Sequence, residues 1–147
     1  YVEKGWLLPR KGEEIRTSIC NGELLLLFKR EKGEEMLLGC SGGLILNKKV
    51  AELFLFAVKG GRGAESGFDS VRLLKERIRR LKEKGVERVY FFTENGNPLI
   101  NTVFKRCGFE VIPEGSFSTE LPSKMKKELI LLKSRNRNPV VMRRILK

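Results

Sequence analysis

Between Val50 and Thr93 the chain runs through a strand, a glycine-rich loop, a helix and a second strand without interruption. Val50–Val58 (VAELFLFAV) is apolar, strand-sized and carries one charge, Glu52. Lys59–Gly67 (KGGRGAESG) holds too much glycine for a regular element. Beyond it Phe68, Val71, Leu74, Ile78 and Leu81 recur at spacings of three and four with basic residues between them, which is the period of an amphipathic helix. Gly85 suits the position that closes such a helix, and Val86–Thr93 (VERVYFFT) reads as a buried strand. A strand that is regained through a helix has crossed over, so these two strands are expected to be parallel neighbours.

The remaining elements are placed around this unit. Asn21-Gly22 signals a turn, Glu23–Arg30 a strand, Glu31–Glu35 a polar hairpin turn and Met36–Leu46 a second strand. Glycines inside that second strand predict a bulge or close packing. Asn47-Lys48-Lys49 is a further turn. After Asn95-Gly96-Asn97-Pro98, a helix is expected from Pro98 to about Cys107, ended by Gly108. Phe109–Ile112 and Leu129–Leu132 read as two more strands, and Asn138-Pro139 as a break before a basic tail, with residues 134–147 as that tail. The expected order is β-β-β-α-β-α-β-β, in one domain spanning 1–147. Residues 1–16 give no clear pattern, and the chain opens on Tyr1 rather than Met, which leaves the native start open.

Composition narrows the chemistry. The 147 residues are 41% hydrophobic, enough for one core. No apolar run approaches the roughly 18 residues of a membrane helix, and no signal-peptide pattern is visible, so a cytoplasmic protein with no membrane partner is expected. The chain has no histidine, which excludes Ser-His-Asp and Cys-His catalysis and His-containing zinc sites within it. Cys20, Cys40 and Cys107 are odd in number and lack CxxC spacing, arguing against a disulfide framework, and Cys107 is read as packed. No metal site is expected. Any general base must be Glu, Asp, Lys, Tyr or Cys.

The formal net charge is +12, concentrated in residues 68–84 and 124–147. Such a surplus favours anionic partners such as phosphates, nucleic acid or acidic protein surfaces. It equally fits the solvated surface of a thermophilic protein.

A glycine-rich loop leading from a buried strand into a helix N-terminus can cradle a phosphate, because unpaired backbone N–H groups and the helix dipole both favour an anion there. The stretch from Val50 to Phe109 resembles the GCN5-related N-acetyltransferase (GNAT) family more specifically. That family holds acetyl-coenzyme A with a Q/R-x-x-G-x-G/A loop, and Arg62-Gly63-Ala64-Glu65-Ser66-Gly67 stands in its place. A second family signature is Asn, an aromatic seven residues on, then Gly-Phe, matched by Asn97, Phe104 and Gly108-Phe109. The likeness covers roughly residues 22–132.

The resemblance implies a mixed, mostly antiparallel sheet, with a central parallel pair splayed around a cofactor cleft and helices on both faces. It implies acetyl-coenzyme A as cofactor and an amine as acceptor. The pantetheine arm would pair with the backbone of Phe56, Ala57 and Val58, and one of those N–H groups would stabilise the oxyanion. The pyrophosphate would lie on Arg62, Gly63, Ala64, Glu65, Ser66, Gly67 and Phe68, with Asn97 and Phe104 completing the cofactor site. Glu52 stands six residues before Val58, the spacing of the glutamate that some members use as general base. The chemistry fits, since a protonated amine cannot attack a thioester, and desolvation in an apolar strand makes a carboxylate more basic.

The chain departs from the family pattern in four places. Glu65 replaces a central glycine, Gly60 replaces a common proline in a loop one residue short, and Phe104 replaces a proton-donating tyrosine. The family's first strand and the helices after it have no clear counterpart in residues 1–20. The alternative reading is a GNAT-like module without catalysis, whose basic surface binds nucleic acid or an acidic protein. A homodimer is left open.

Overall fold

The computed structural model describes Glu13, Arg16, Asn21, residues 24–58 and residues 64–146. From residue 24 onward the described order opens with three strands: β1 (Leu25–Glu31), β2 (Glu34–Asn47) and β3 (Val50–Val58). The β1–β2 turn is Lys32-Gly33, both at positive φ (51° and 79°), as a tight two-residue hairpin requires. The β2–β3 turn is fastened by Asn47, whose Oδ1 accepts from the amides of Lys49 (2.9 Å) and Val50 (3.0 Å).

Helix α1 (Ala64–Glu83) follows. Its period-3.6 stripe buries Leu74, Ile78 and Leu81, and each fully buried leucine contributes about 2 kcal/mol. The helix stops as expected at Gly85 (φ +86°), where Val86 N–H reaches back to Leu81 O at 3.1 Å. Strand β4 (Arg88–Glu94) then lies parallel to β3. The helical segment after Pro98 is wound unevenly, as a π turn over Ile100–Phe104 and a 3₁₀ turn over Lys105–Cys107. Gly108 (φ +85°) ends it. Strand β5 (Glu110–Val111), the one-turn helix α2 (Phe117–Glu120), helix α3 (Ser123–Ser134) and strand β6 (Pro139–Ile145) complete the order.

Among the described residues six strands form one sheet in the order β1-β2-β3-β4-β6-β5, antiparallel except for β3–β4. Alternation along the strands feeds two cores. Ala51, Leu53, Val89, Phe91 and Met142 face α1 and the turns ending at Cys107. Val50, Tyr90, Phe92 and Val141 face α3 and Phe117. Among the described residues no helix is long and apolar enough to cross a membrane.

Two sequence expectations are corrected. Leu129–Leu132 belongs to helix α3 and forms no strand. A short apolar run fits either element, and burial decides: Met125, Leu129 and Leu132 are buried, whereas Ile130 is 68% and Leu131 52% exposed. The segment 134–147 contains β6, inserted between β4 and β5, and three of its four arginines are engaged. Arg143 pairs with Glu110 and Glu120, Arg144 donates to Cys107 O, and Arg137 reaches Glu94 at 3.3 Å. The strand tolerates these charges because each has a partner beside the sheet.

Candidate active site

The central parallel pair is joined only from Val50↔Arg88 to Leu53↔Phe91. Strand β3 continues to Val58 and β4 to Glu94 without further described pairing between them. The parting coincides with a bulge. On β2 the step from Gly42 to Gly43 faces Leu55 and then Leu53, so Phe54 is an extra residue in β3. A bulge bends its strand and sharpens the local twist, which is how β3 can leave β4 while keeping its ladder to β2. That ladder persists as Leu55↔Gly42, Phe56↔Ser41, Ala57↔Cys40 and Val58↔Gly39. Gly43 is there because nothing larger fits: a Cβ on it would lie 2.7 Å from Glu52 O and 3.0 Å from a Leu53 methyl.

Glu52 stands one residue before the parting point. It is fully buried and opposite Tyr90 across the parallel pair. Strand alternation puts it on the face of Val50, toward α3. There Lys124, in the first turn of α3, brings its Nζ to 3.2 Å from Glu52 Oε2. Lys124 also pairs with Glu128 one helical turn on. The Lys124 side chain is 35% exposed and that of Glu52 0%. The lysine therefore runs from solvent to a carboxylate sealed inside the sheet. An ammonium at that distance compensates much of the cost of burying a negative charge.

Tyr90 lies on the same face, fully buried, with its hydroxyl donating to Glu120 at 3.3 Å. Burial is the main cause that pushes its phenol above the ordinary tyrosine range. Arg143 binds Glu120 in turn and is held more firmly protonated by its two carboxylates.

The remaining expected site residues are distributed as follows. Phe56, Ala57 and Val58 form the free-running end of β3. Ala64, Glu65, Ser66, Gly67 and Phe68 are the first turns of α1, and Arg62 and Gly63 lie outside the described residues. Asn97 is 6% exposed and is used within the fold: its Nδ2 donates to Thr93 Oγ1 at 2.8 Å and its Oδ1 accepts from Leu99 N–H at 3.0 Å. Phe104 is 3% exposed, edge-on to Phe91 at 4.6 Å between ring centres. The fold thus brings Glu52 and the 56–58 backbone to one parting point and draws Asn97 and Phe104 into the packing behind it. Among the described residues no cluster of acidic or cysteine side chains could hold a metal.

Sequence reasoning missed Lys124 and Glu128 as partners of Glu52. The four-residue spacing of Lys124 and Glu128 was available as a helix-face pair, but only once their segment is recognised as helical.

No protein-family model and no curated protein matches the chain. Solved structures do. N-acetylglutamate synthase from Neisseria gonorrhoeae, solved with coenzyme A and N-acetyl-glutamate, is 25% identical over 99% of this chain with a TM-score of 0.71. The chain spans 30% of that protein's length. Rv2747 from Mycobacterium tuberculosis, also solved with coenzyme A, is 14% identical over 97% of this chain and 86% of its own, with a TM-score of 0.69. A GNAT family acetyltransferase from Elizabethkingia anophelis with acetyl-CoA bound is 14% identical over 92% of this chain and 84% of its own, with a TM-score of 0.58. The fold is that of the GCN5-related N-acetyltransferases.

Proposed function

We propose that the chain is an acetyl-coenzyme A-dependent N-acetyltransferase in which Glu52 serves as general base toward a primary amine. The observation that carries this reading is the position of Glu52, a fully buried carboxylate one residue before the central strands part. The gap beyond Leu53 has the β3 backbone along one side, and α1 begins at Ala64 shortly after that strand ends. A long thin cofactor with an anionic end suits that combination. Residues 56–58 would hold its arm, and residues 62–68 its pyrophosphate at the helix N-terminus.

Bound there, acetyl-coenzyme A would supply an activated acyl group. Glu52 would accept the proton that an arriving ammonium must lose before it can attack. An N–H of residues 56–58 would bear the oxyanion charge. Phe104 has no hydroxyl and is buried against Phe91, so the proton for the departing thiolate would come from elsewhere, water being the simplest source. Glutamate is the first acceptor to test, because N-acetylglutamate synthase is among the structures most similar in fold.

The alternative of a binding module without catalysis has less support. Arg143 and Arg144 of the supposed basic tail lie on β6 and are bound to Glu110 and to Cys107 O, and on α1 Arg79 and Arg80 pair with Glu76.

Two measurements test the proposal. Coenzyme A at about 100 times its dissociation constant adds about 2.7 kcal/mol, enough to raise the melting temperature by several degrees. Steady turnover beyond one thiol released per protein should depend on an added amine, and Glu52→Gln should slow it about 10²–10⁴-fold while coenzyme A still binds. An unchanged melting temperature at millimolar coenzyme A refutes the reading.

A further inference from the structure

A primary amine lies beside the proposed base. Lys124 Nζ lies 3.2 Å from Glu52 Oε2, at the level where β3 and β4 begin to part. Its second carboxylate partner, Glu128, is on the same helix and 18% exposed. The nitrogen is thus held between an interior carboxylate able to take a proton and a more accessible one that orients the side chain. An external acceptor would have to present the same functional group to the same oxygen.

We propose that Lys124 is a self-acetylation site, an amine built into the acceptor position that takes the acetyl group when no other acceptor does. The inference rests on the acetyltransferase reading above. In the step, Glu52 Oε2 accepts one proton from the Lys124 ammonium. The lone pair so freed on Nζ forms a bond to the thioester carbonyl carbon. The carbon–sulfur bond breaks with its electron pair going to sulfur, and the second proton lost by nitrogen ends on that sulfur as free thiol. Glu52 returns its proton to water. The products are N-acetyl-lysine and coenzyme A.

The consequence is local. An acetylated Lys124 is neutral and longer, so Glu52 loses its cationic neighbour and the acceptor position is filled. Self-acetylation therefore limits turnover when acetyl-coenzyme A is plentiful and the acceptor is scarce. An acceptor that competes for Glu52 should protect Lys124.

The test is to incubate the full chain with acetyl-coenzyme A and no acceptor, then follow intact mass and map modified peptides. Lys126 and Lys127, on the same helix, report uncatalysed acetylation. Lys124 should gain one acetyl group at least tenfold faster than either, at a rate independent of protein concentration. Glu52→Gln should slow Lys124 by about 10²-fold and leave Lys127 unchanged. Lys124→Arg keeps the charge beside Glu52 and should abolish the fast single addition, a check that stands even if Glu52→Gln proves poorly folded. Coenzyme A binding, read from melting temperature in the same samples, separates the two ways to fail. If coenzyme A stabilises the protein but Lys124 reacts no faster than Lys127, or the fast addition survives in Lys124→Arg, self-acetylation is wrong and the acetyltransferase reading stands. If coenzyme A does not bind, both fall.

Discussion

Replacing Gly43 with alanine tests the link between the bulge and the candidate base in one step. The new Cβ would sit 2.7 Å from the carbonyl oxygen of Glu52 and 3.0 Å from a Leu53 methyl. Ordinary contact begins near 3.4 Å, so β2 and β3 must separate locally by about 0.7 Å. The obstacle is backbone, not the far end of a flexible side chain, so relief has to come from the sheet itself. Overpacking of this kind costs about 1–3 kcal/mol. The alanine stiffens the unfolded chain and recovers about 0.4–1 kcal/mol. At the midpoints of these ranges the net loss is about 1.3 kcal/mol, or about 4 °C in melting temperature for a domain of this size. Calorimetry or a circular dichroism melt measures it. Gly115→Ala is the control, since a Cβ there meets nothing within 4 Å, and it should stay within about 0.5 kcal/mol of wild type. Because the displaced oxygen belongs to Glu52, turnover in Gly43→Ala should fall more than coenzyme A affinity. A Gly43→Ala protein as stable as wild type would refute the close approach, and with it the account of why β3 bulges at Phe54.

Three further outcomes are expected. Deleting residues 139–147 removes β6, the strand through which β4 and β5 are joined, so the truncated chain should lose cooperative thermal unfolding; a normal melt would show that β6 is misplaced. Tyr90 is pushed upward mainly by burial, so it stays protonated in the folded state while the unfolded chain ionises. Stability should then decline as pH rises above about 10, and less so in Tyr90→Phe; denaturant titrations across alkaline pH that show no difference would count against it. Burial likewise pushes the thiol of Cys107 up, and at 2% exposure it should resist a thiol reagent until the protein unfolds, whereas the partly exposed Cys40 reacts first. Equal labelling of the two in native protein would contradict this.

The parts of this fold that could be read from sequence are those specified by neighbours in the chain. The β3–α1–β4 unit is written in local periodicity, and its closing glycine at position 85 has the positive φ that its role demands. The glycines inside β2 pointed to a bulge or close packing without saying that both would occur, with the extra residue on the partner strand at Phe54. Leu129–Leu132 misled because four apolar residues in a row carry no period, and the sheet decided which two of them were buried. Strand β6 was hidden by Arg143 and Arg144, whose partners at Glu110, Glu120 and Cys107 lie more than twenty residues back. The same distance problem hid Lys124, which meets Glu52 across 72 positions. Glu52 itself stood out as the lone charge in an apolar strand. What supports it as a candidate base, the parting of β3 from β4 and the lysine beside it, exists only once the sheet has formed.

The insertion of β6 between β4 and β5 also bears on the order of events during synthesis. Strand β4 leaves the ribosome long before Pro139–Ile145 does, and until then one of its edges has no partner. Strand β5 has nothing to pair with at all over the same interval. The nascent chain can close its β1–β2–β3 meander and dock α1 against it, but the second half of the sheet has to wait for the last strand in line. Unpaired edges of apolar strands such as Val89–Phe92 are what other chains add to. Slowing translation just ahead of Pro139 should therefore lower the yield of folded protein.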